Sequence, residues 1–230
     1  MATKSTSAKS SRAQFLGYIV LIVALGWGAC SFLDGIKERW FIFDPPALHA
    51  LSAEAVALHP TNITALTAHI LTNLSSTYPA YTINTDISNP SEWVFNNAGG
   101  AMGAMFIIHA SITEYLIVFG TPLGTEGHSG RHTADDYFNI LRGEQWAFSP
   151  GSMEMERYVA GQVHHMRRGD AKQYKFHEGG WALELAQGWI PPMLPFGFAD
   201  FASTLDFPTM YNTVRLTGRE MIKNLLHGKI

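Results

Sequence analysis

An uninterrupted apolar segment near the start of the chain restricts what this protein can fold into. Residues 15–36 read FLGYIVLIVALGWGACSFLDGI and contain a single charged residue, Asp34. A helix of this length can cross a hydrocarbon core of about 30 Å. The sequence therefore predicts a transmembrane helix over 15–36, and the Ser- and Lys-rich residues 1–14 before it are predicted to be disordered.

A cleaved signal peptide is the alternative interpretation, since Lys4, Lys9 and Arg12 precede the apolar segment. The apolar part of a signal peptide is typically only about 7–15 residues long, and Trp27 and Trp40 are placed where aromatic residues line a membrane interface. We therefore favour a retained, single-pass helix. The basic residues before the segment indicate a cytosolic N-terminus.

Composition excludes several classes of partner and cofactor. The net charge of -3 provides no basic surface, so nucleic acid is not an expected partner. Cys30 is the only cysteine, which rules out an intramolecular disulfide and a thiolate metal cluster. No His-x-His pair occurs, and His164 and His165 would point to opposite faces of a strand, so no metal site is predicted.

Helical periodicity follows the transmembrane segment. Within residues 37–90, apolar spacings of three and four predict two helices and then a turn-rich linker. Thr61 or Asn62 is the predicted N-cap of the second helix. We expect both helices to cover one face of the domain.

The pattern changes in the second half of the chain. Residues 91–190 contain words of period two, such as MFIIHA and EYLIVFG, which predict the buried strands of a sheet or barrel. Residues 191–230 predict two helices interrupted at Pro208. Their Phe-, Met- and Leu-rich composition suits either packing over a barrel or lying in a membrane interface.

Two carboxylates stand alone in long apolar stretches. Glu114 is the only charged residue of the stretch 93–125, and Glu184 is the only one of the stretch 179–199. A buried carboxylate is costly unless it is paired or protonated, so both residues mark candidate chemistry. For Glu114 we favour a structural role, bracing the loop GTEGHSGRH, over catalysis.

Strand parity places an acid on an inward face in two of the predicted strands. In ALELA, Glu184 shares its face with Ala182 and Ala186, which leaves room for a ligand beside the carboxylate. In HTADDYFNIL, Asp136 is the one acid among the apolar even positions, whereas Asp135 lies on the polar face. A structural role stays open for both inward acids, with backbone donors for Glu184 and a turn or cap for Asp136.

Two long stretches resemble a known family. WVFNNAGGAMGAMFIIHASITEYLIVFGTPLGTEGHSGRH and WALELAQGWIPPMLPFGFAD closely resemble the fungal C-8 sterol isomerases and the mammalian sigma non-opioid receptor, and the resemblance runs from Trp93 to Tyr211. It implies a mainly β fold with flanking helices, in which a cupin-like β-barrel lies between the N-terminal membrane helix and membrane-associated C-terminal helices. It also implies a homotrimer in the endoplasmic reticulum membrane, in contact with membrane lipids.

The resemblance also implies roles for individual residues. Glu184 takes the position of the glutamate that holds the ligand's cationic amine in the receptor. The receptor's second acid aligns with Phe138, whereas this chain has Asp136 two positions earlier, and ADDYF is similar to the isomerases. Phe138 is itself predicted to contact substrate. The remaining positions that line the receptor's pocket are matched by Met105, Ile107, Tyr115, Ile117, Phe119, Phe176 and Met193.

The implied reaction moves a sterol double bond from C8 to C7 in ergosterol biosynthesis. Protonating an alkene requires an acid in a site without water and a group that stabilises a carbocation, but no redox step, so no cofactor is predicted. We predict that Asp136 and Glu184 lie within hydrogen-bond reach and share one proton, with Tyr115 orienting one carboxyl and Asp135 as a further catalytic candidate. A sterol substrate and inhibitory lipophilic amines, which mimic the cation, are the expected ligands.

Two other functions stay open. A non-enzymatic membrane protein of the sigma-receptor type would bind lipophilic amines and sterols in the same pocket without turnover. A metal-dependent oxygenase of the cupin type is disfavoured because the chain has no His-x-His pair. The pair formed by Asp135 and Asp136 favours the isomerase.

Overall fold

The computed structural model describes residues 5–230, with side chains from residue 14 onward. The chain divides into two compact units, and the second unit begins at Trp40.

The first unit consists mainly of one helix, α1 (Ser5–Ile36). The stretch Gln14–Trp40 is long and apolar enough to cross a membrane, which is consistent with the predicted single-pass membrane protein. Residues 5–14, predicted to be disordered, instead continue the helix, because no Gly or Pro interrupts them. Residues 1–4 of that prediction lie outside the described residues.

The second unit begins with helices α2 (Pro45–Leu58) and α3 (Ile63–Thr77), as the apolar spacing predicts. The Asp44 carboxylate caps α2 by accepting from the backbone N of Ala47 at 3.1 Å. Asn62, one of the two predicted N-caps, does the same for α3 through the backbone N of Ala65, also at 3.1 Å.

The described residues contain ten strands, all within the range predicted to form the barrel. They are β1 (Trp93–Ala98), β2 (Ala101–Ala110), β3 (Glu114–Thr121), β4 (Thr125–His128), β5 (Ala134–Arg142), β6 (Glu144–Phe148), β7 (Glu156–Val159), β8 (Val163–Met166), β9 (Gln173–Phe176) and β10 (Gly180–Gly188). A six-stranded sheet has the order β1-β2-β3-β10-β5-β8, and a four-stranded sheet has the order β4-β9-β6-β7. All strand pairs are antiparallel.

The two faces of the six-stranded sheet are both buried, but against different partners. Leu116, Leu183 and Leu185 pack with residues of α2 and α3 on the outer face. On the inner face, Phe119 meets the ring of Phe176 from the four-stranded sheet, edge to face at 5.8 Å. The alternation predicted for β3, β5 and β10 is therefore confirmed, and it divides the domain into a helix-covered layer and an interior.

Two helices close the interior. After a 3-10 turn, α4 (Leu194–Thr204) packs on β1, and α5 (Phe207–Leu226) packs on β2. The break between them was predicted at Pro208, but it lies at Leu205, which adopts a left-handed backbone with φ 58°. Pro208 falls in the first turn of α5, where its missing N–H costs nothing. The prediction of a mainly β fold with flanking helices is confirmed.

Candidate active site

A cavity lies between the inner face of the six-stranded sheet and helices α4 and α5. Its empty volume is about 980 Å³, including the open space at its mouth. Most lining side chains are apolar. Five residues that the sequence predicted to contact substrate line the cavity: Met105, Ile117, Phe119, Phe138 and Met193. Packing of the C-terminal helices over the barrel adds Leu194, Phe196, Phe198, Phe201, Thr213 and Thr217.

Two residues predicted to contact substrate are not part of the lining. Ile107 is only 2% exposed and belongs to the apolar core of the inner face. Phe176 is fully buried and lies against Phe119, so it supports the wall instead of forming it. Both residues therefore support the cavity wall and do not contact substrate directly, because a residue on the inward face can still be covered by its neighbours.

Glu184 is the only carboxylate among the described residues that line the cavity. It stands on β10 between Ala182 and Ala186, as parity predicted, and their small side chains leave its carboxyl open to the cavity. The pKa of Glu184 is raised to about 8, chiefly by burial and also by the negative charge of Asp136, while the charge of His132 opposes the increase. At neutral pH the group is therefore mainly an uncharged carboxylic acid, able to donate a proton.

Asp136 lies on the same face but does not bond to Glu184. In the register of β5 and β10, Glu184 faces Phe138 and Asp136 faces Ala186, so the two acids are diagonal neighbours. Asp136 is 1% exposed, and one of its oxygens, Oδ1, has no hydrogen-bond partner among the described residues. The prediction that the two carboxyls share a proton directly is corrected, since the register offsets them by one pair.

His132 lies at the cavity wall, where the sequence predicted Asp136 to be. Its Nδ1 makes a short hydrogen bond to Oδ2 of Asp136, and its ring lies edge-on to Phe196 of α4 at 5.6 Å. It lines the cavity, whereas Asp136 does not. Burial acts to lower the pKa of His132, but the hydrogen bond and charge of Asp136, with the charge of Glu184, raise it overall. The only sequence signal for this pair is a histidine four positions before an inward acid.

Tyr115 lines the cavity, but it does not orient a carboxyl as predicted. Its hydroxyl lies 3.1 Å from Oγ1 of Thr217 on α5, and 3.7 Å from Sδ of Met105. Burial raises the pKa of Tyr115, Thr217 opposes this, and the charge of Glu184 adds to it, so the phenol stays neutral. Its contact fastens α5 to the barrel.

The prediction that Asp135 is a catalytic candidate is corrected, because its side chain lies on the outer face of the sheet, away from the cavity. One of its oxygens is 3.2 Å from Nε2 of His165 and accepts from the backbone N of Arg168, also at 3.2 Å. His165 stacks on Tyr137 with ring centroids 4.3 Å apart. The polar face of β5 therefore carries a surface cluster that is separate from the cavity.

Glu114 is structural, as favoured from the sequence, but it braces a different segment. It is fully buried on the outer face, where it accepts from the backbone N of Ile42 at 2.8 Å and of Phe43 at 3.1 Å. Gln187 donates to it at 2.8 Å, and Lys229 forms an ion pair with it at 2.9 Å. It thus joins the segment before α2 and the end of the chain to the sheet, and it does not hold the loop GTEGHSGRH.

An apolar cavity with one neutral carboxyl, set between a β-sheet and two helices, is the kind of site that suits a hydrophobic ligand. The chain belongs to the family described as "ERG2 and Sigma1 receptor like protein", whose sequence model matches residues 19–229. The resemblance seen in the sequence is therefore confirmed.

Several relatives are named proteins. The chain is 56% identical to the C-8 sterol isomerase of Mycosarcoma maydis, over 98% of this chain and 93% of that protein. It is also 56% identical to C-8 sterol isomerase erg2 of Aspergillus fumigatus, over 93% and 88% of the two chains. Identity to sigma non-opioid intracellular receptor 1 of Gallus gallus is 32%, over 85% and 88%. The likeness is thus much stronger to the isomerases.

Among solved structures, an RmlC-like cupin from Shewanella frigidimarina is similar, with a TM-score of 0.37 and 13% identity over 46% of this chain and 94% of that one. A predicted oxalate decarboxylase from Thermotoga maritima has a TM-score of 0.35 and 16% identity over 44% and 96%. Both similarities are too low to support a functional argument.

Proposed function

We propose that this protein is a C-8 sterol isomerase of ergosterol biosynthesis, which moves the ring double bond of a sterol from C8 to C7. The observation that carries the proposal is Glu184, a neutral carboxylic acid and the only carboxyl among the described residues that line an apolar cavity. Its support is the identity of 56% to two fungal proteins named C-8 sterol isomerase.

The proposed reaction begins with the Glu184 carboxyl. Its proton forms a new bond to C9 with the π electrons of the double bond, which leaves a tertiary cation at C8. The C7–H bond then breaks, its electrons form the C7–C8 double bond, and the Glu184 carboxylate recovers a proton. Electrons are neither gained nor lost in this sequence, so the reaction is balanced without a redox partner.

The cavity wall supplies stabilisation for the cation. Phe119, Phe138, Tyr174 and Phe196 line it and present aromatic rings to the substrate. A cation over an aromatic face is stabilised by about 0.5–2 kcal/mol, and more strongly where water is excluded. The same wall binds lipophilic amines, whose ammonium group takes the place of the cation.

We further propose that α1 anchors the protein in the endoplasmic reticulum membrane with the second unit in the lumen. Exposed apolar residues of α5, such as Tyr211 and Ile222, would contact membrane lipids. Asn62, the N-cap of α3, and Asn73, on α3, are exposed, and each begins an Asn-x-Ser/Thr sequence. If the unit is lumenal, glycosidase treatment of the protein made in eukaryotic membranes will increase its gel mobility, and the variant N62Q/N73Q will not respond.

We also propose that the protein is a homotrimer. A measurement of its mass in detergent would test this.

The alternative is a non-enzymatic, sigma-receptor-like protein that binds lipophilic amines and sterols. The receptor of Gallus gallus, at 32% identity over most of both chains, supports this second function. Binding alone cannot separate the two functions, because both need the same cavity.

Turnover separates them. The full chain, solubilised in detergent, is incubated with a Δ8 sterol in deuterium oxide, and the sterols are analysed by mass spectrometry. We expect a Δ7 product that carries one solvent deuterium at C9, since Glu184 exchanges its proton with water. Tight binding of a lipophilic amine without any Δ7 product would refute the isomerase and favour the receptor.

A further inference from the structure

Of the hydrogen-bonded pair formed by His132 and Asp136, His132 is the member that lines the cavity. Its ring lines the cavity beside Phe196, and Asp136 lies behind it, 1% exposed. The only hydrogen bond of the Asp136 side chain is the one from Nδ1 of His132 to Oδ2, because Oδ1 has no partner among the described residues. A buried carboxylate with a single donor depends on the charge of that donor. The pair is therefore best satisfied when His132 is an imidazolium.

We propose that His132, held in its charged form by Asp136, is the positioning residue that stabilises the Glu184 carboxylate formed when the sterol is protonated. This inference rests on the proposed isomerase function and assigns a role to a residue outside the predicted acid pair.

The charges at each stage support this role. Before proton transfer, Glu184 is neutral, and the charges of His132 and Asp136 cancel. After transfer, Glu184 is negative on the same face as Asp136. Without the imidazolium, the site would then hold two carboxylates in an apolar interior, which is strongly unfavourable. With it, the new carboxylate has a positive neighbour, so Glu184 becomes a stronger acid toward the alkene.

Among the titratable groups around His132, Asp136 is the one that is hydrogen-bonded to it. His128 lines the same cavity, but its Nδ1 accepts from the backbone N of Gly130 at 2.8 Å. Glu184 faces the site from β10, and Tyr115 and Tyr174 add neutral phenols. Among the described residues of α4 and α5 that line the cavity, none is titratable.

The experiment compares pH profiles of kcat/KM for Δ8 sterol turnover. The variant H132Q can still donate a hydrogen bond to Asp136 but carries no charge. Because Glu184 then faces Asp136 without the imidazolium, we expect the alkaline limb to move up by about one unit or more, and kcat at neutral pH to decrease about tenfold or more. In D136N, His132 loses its proton more readily and Glu184 loses a negative neighbour, so the alkaline limb moves to lower pH.

Structural damage alone would not move the alkaline limb up in H132Q and down in D136N, since both variants weaken the same hydrogen bond. H165Q is the matched control, since it removes the imidazole from the other His–Asp contact, on the outer face, and should leave the profile unchanged. Profiles of H132Q and D136N that superimpose on the wild type, or that move in the same direction, would overturn the inference. If H132Q does not fold, as judged by thermal unfolding, H132N takes its place, because it also removes the charge and keeps a hydrogen-bond donor. If the wild type forms no Δ7 sterol, the isomerase function itself has failed.

Discussion

Replacing Glu184 with Gln tests the protonation state on which the proposed chemistry depends. The carboxyl has a pKa of about 8 in the folded protein, compared with an ordinary value of 4.5. One pKa unit corresponds to about 1.4 kcal/mol. At pH 7 the unfolded chain carries an ionised Glu184 and the folded chain a neutral one, so folding must take up a proton at a cost of about 3 kcal/mol. This is an upper value, because Glu184 also interacts with Asp136 and opens onto the cavity.

The sign of the pH dependence follows from the raised pKa. Below pH 4.5, Glu184 is protonated in both states and its ionisation costs no stability. Between pH 4.5 and about 8, the penalty increases with pH, and above that range it is constant. A glutamine is neutral throughout, so E184Q should match the wild type near pH 4 and exceed it in stability by up to about 3 kcal/mol at pH 7, or several degrees in Tm.

Thermal unfolding of the solubilised full chain from pH 4 to pH 8, followed by circular dichroism, measures this difference. E154Q, a substitution in an exposed loop, is the control for loss of one negative charge. Turnover by E184Q should decrease by at least about 100-fold, since the proton donor is removed. A stability difference that does not grow with pH would show that Glu184 is ionised in the folded protein, and the reasoning would be wrong.

Three other predictions concern the pair formed by Glu114 and Lys229, the contact of Tyr115 with Thr217, and the amine. E114Q should destabilise the fold by about 3–5 kcal/mol, because it leaves Lys229 buried without its counter-charge, and E114Q/K229M should recover part of that loss in chemical denaturation. Y115F should cost about 1 kcal/mol and change turnover less than tenfold, because the hydroxyl contacts Thr217 and not Glu184; a 100-fold loss of kcat would contradict this. Binding of a lipophilic ammonium at pH 7 should release a proton from Glu184, so the calorimetric heat should depend on the buffer's ionisation enthalpy, and identical heats in phosphate and Tris would contradict it.

Local patterns in the sequence were sufficient to predict the strands and the direction of their side chains. Period two in β5 and β10 placed Asp136 and Glu184 inward and Asp135 outward, and the structure agrees. The isolation of Glu114 indicated a buried acid with a structural role. Its partners, Ile42 and Lys229, could not be predicted, because they lie far away in the chain and meet it only through the packing of other elements.

The strand register and the loop geometry could not be predicted from these patterns. A bulge between Trp181 and Ala182 helps to set which residue of β5 faces Glu184, and parity alone does not contain that information. His132 lies just before β5, where side-chain alternation has no meaning, so its return onto Asp136 was not foreseen. The difference matters chemically, since a neutral acid beside a hydrogen-bonded His–Asp pair replaces two carboxyls that share a proton.

The register also suggests what separates an isomerase from a receptor in this family. Phe138 is the direct cross-strand partner of Glu184, and in the resemblance to the sigma receptor this position aligns with the receptor's second acid. An acid here would stand closer to Glu184 than Asp136 does and would hold its proton in a hydrogen bond. In this chain an aromatic ring leaves the carboxyl free to donate. We therefore expect F138D to lose turnover by at least about 100-fold while retaining lipophilic amine binding, with F138L as the control for loss of the ring. If F138D isomerises the sterol at the rate of F138L, the side chain facing Glu184 does not decide between the two functions.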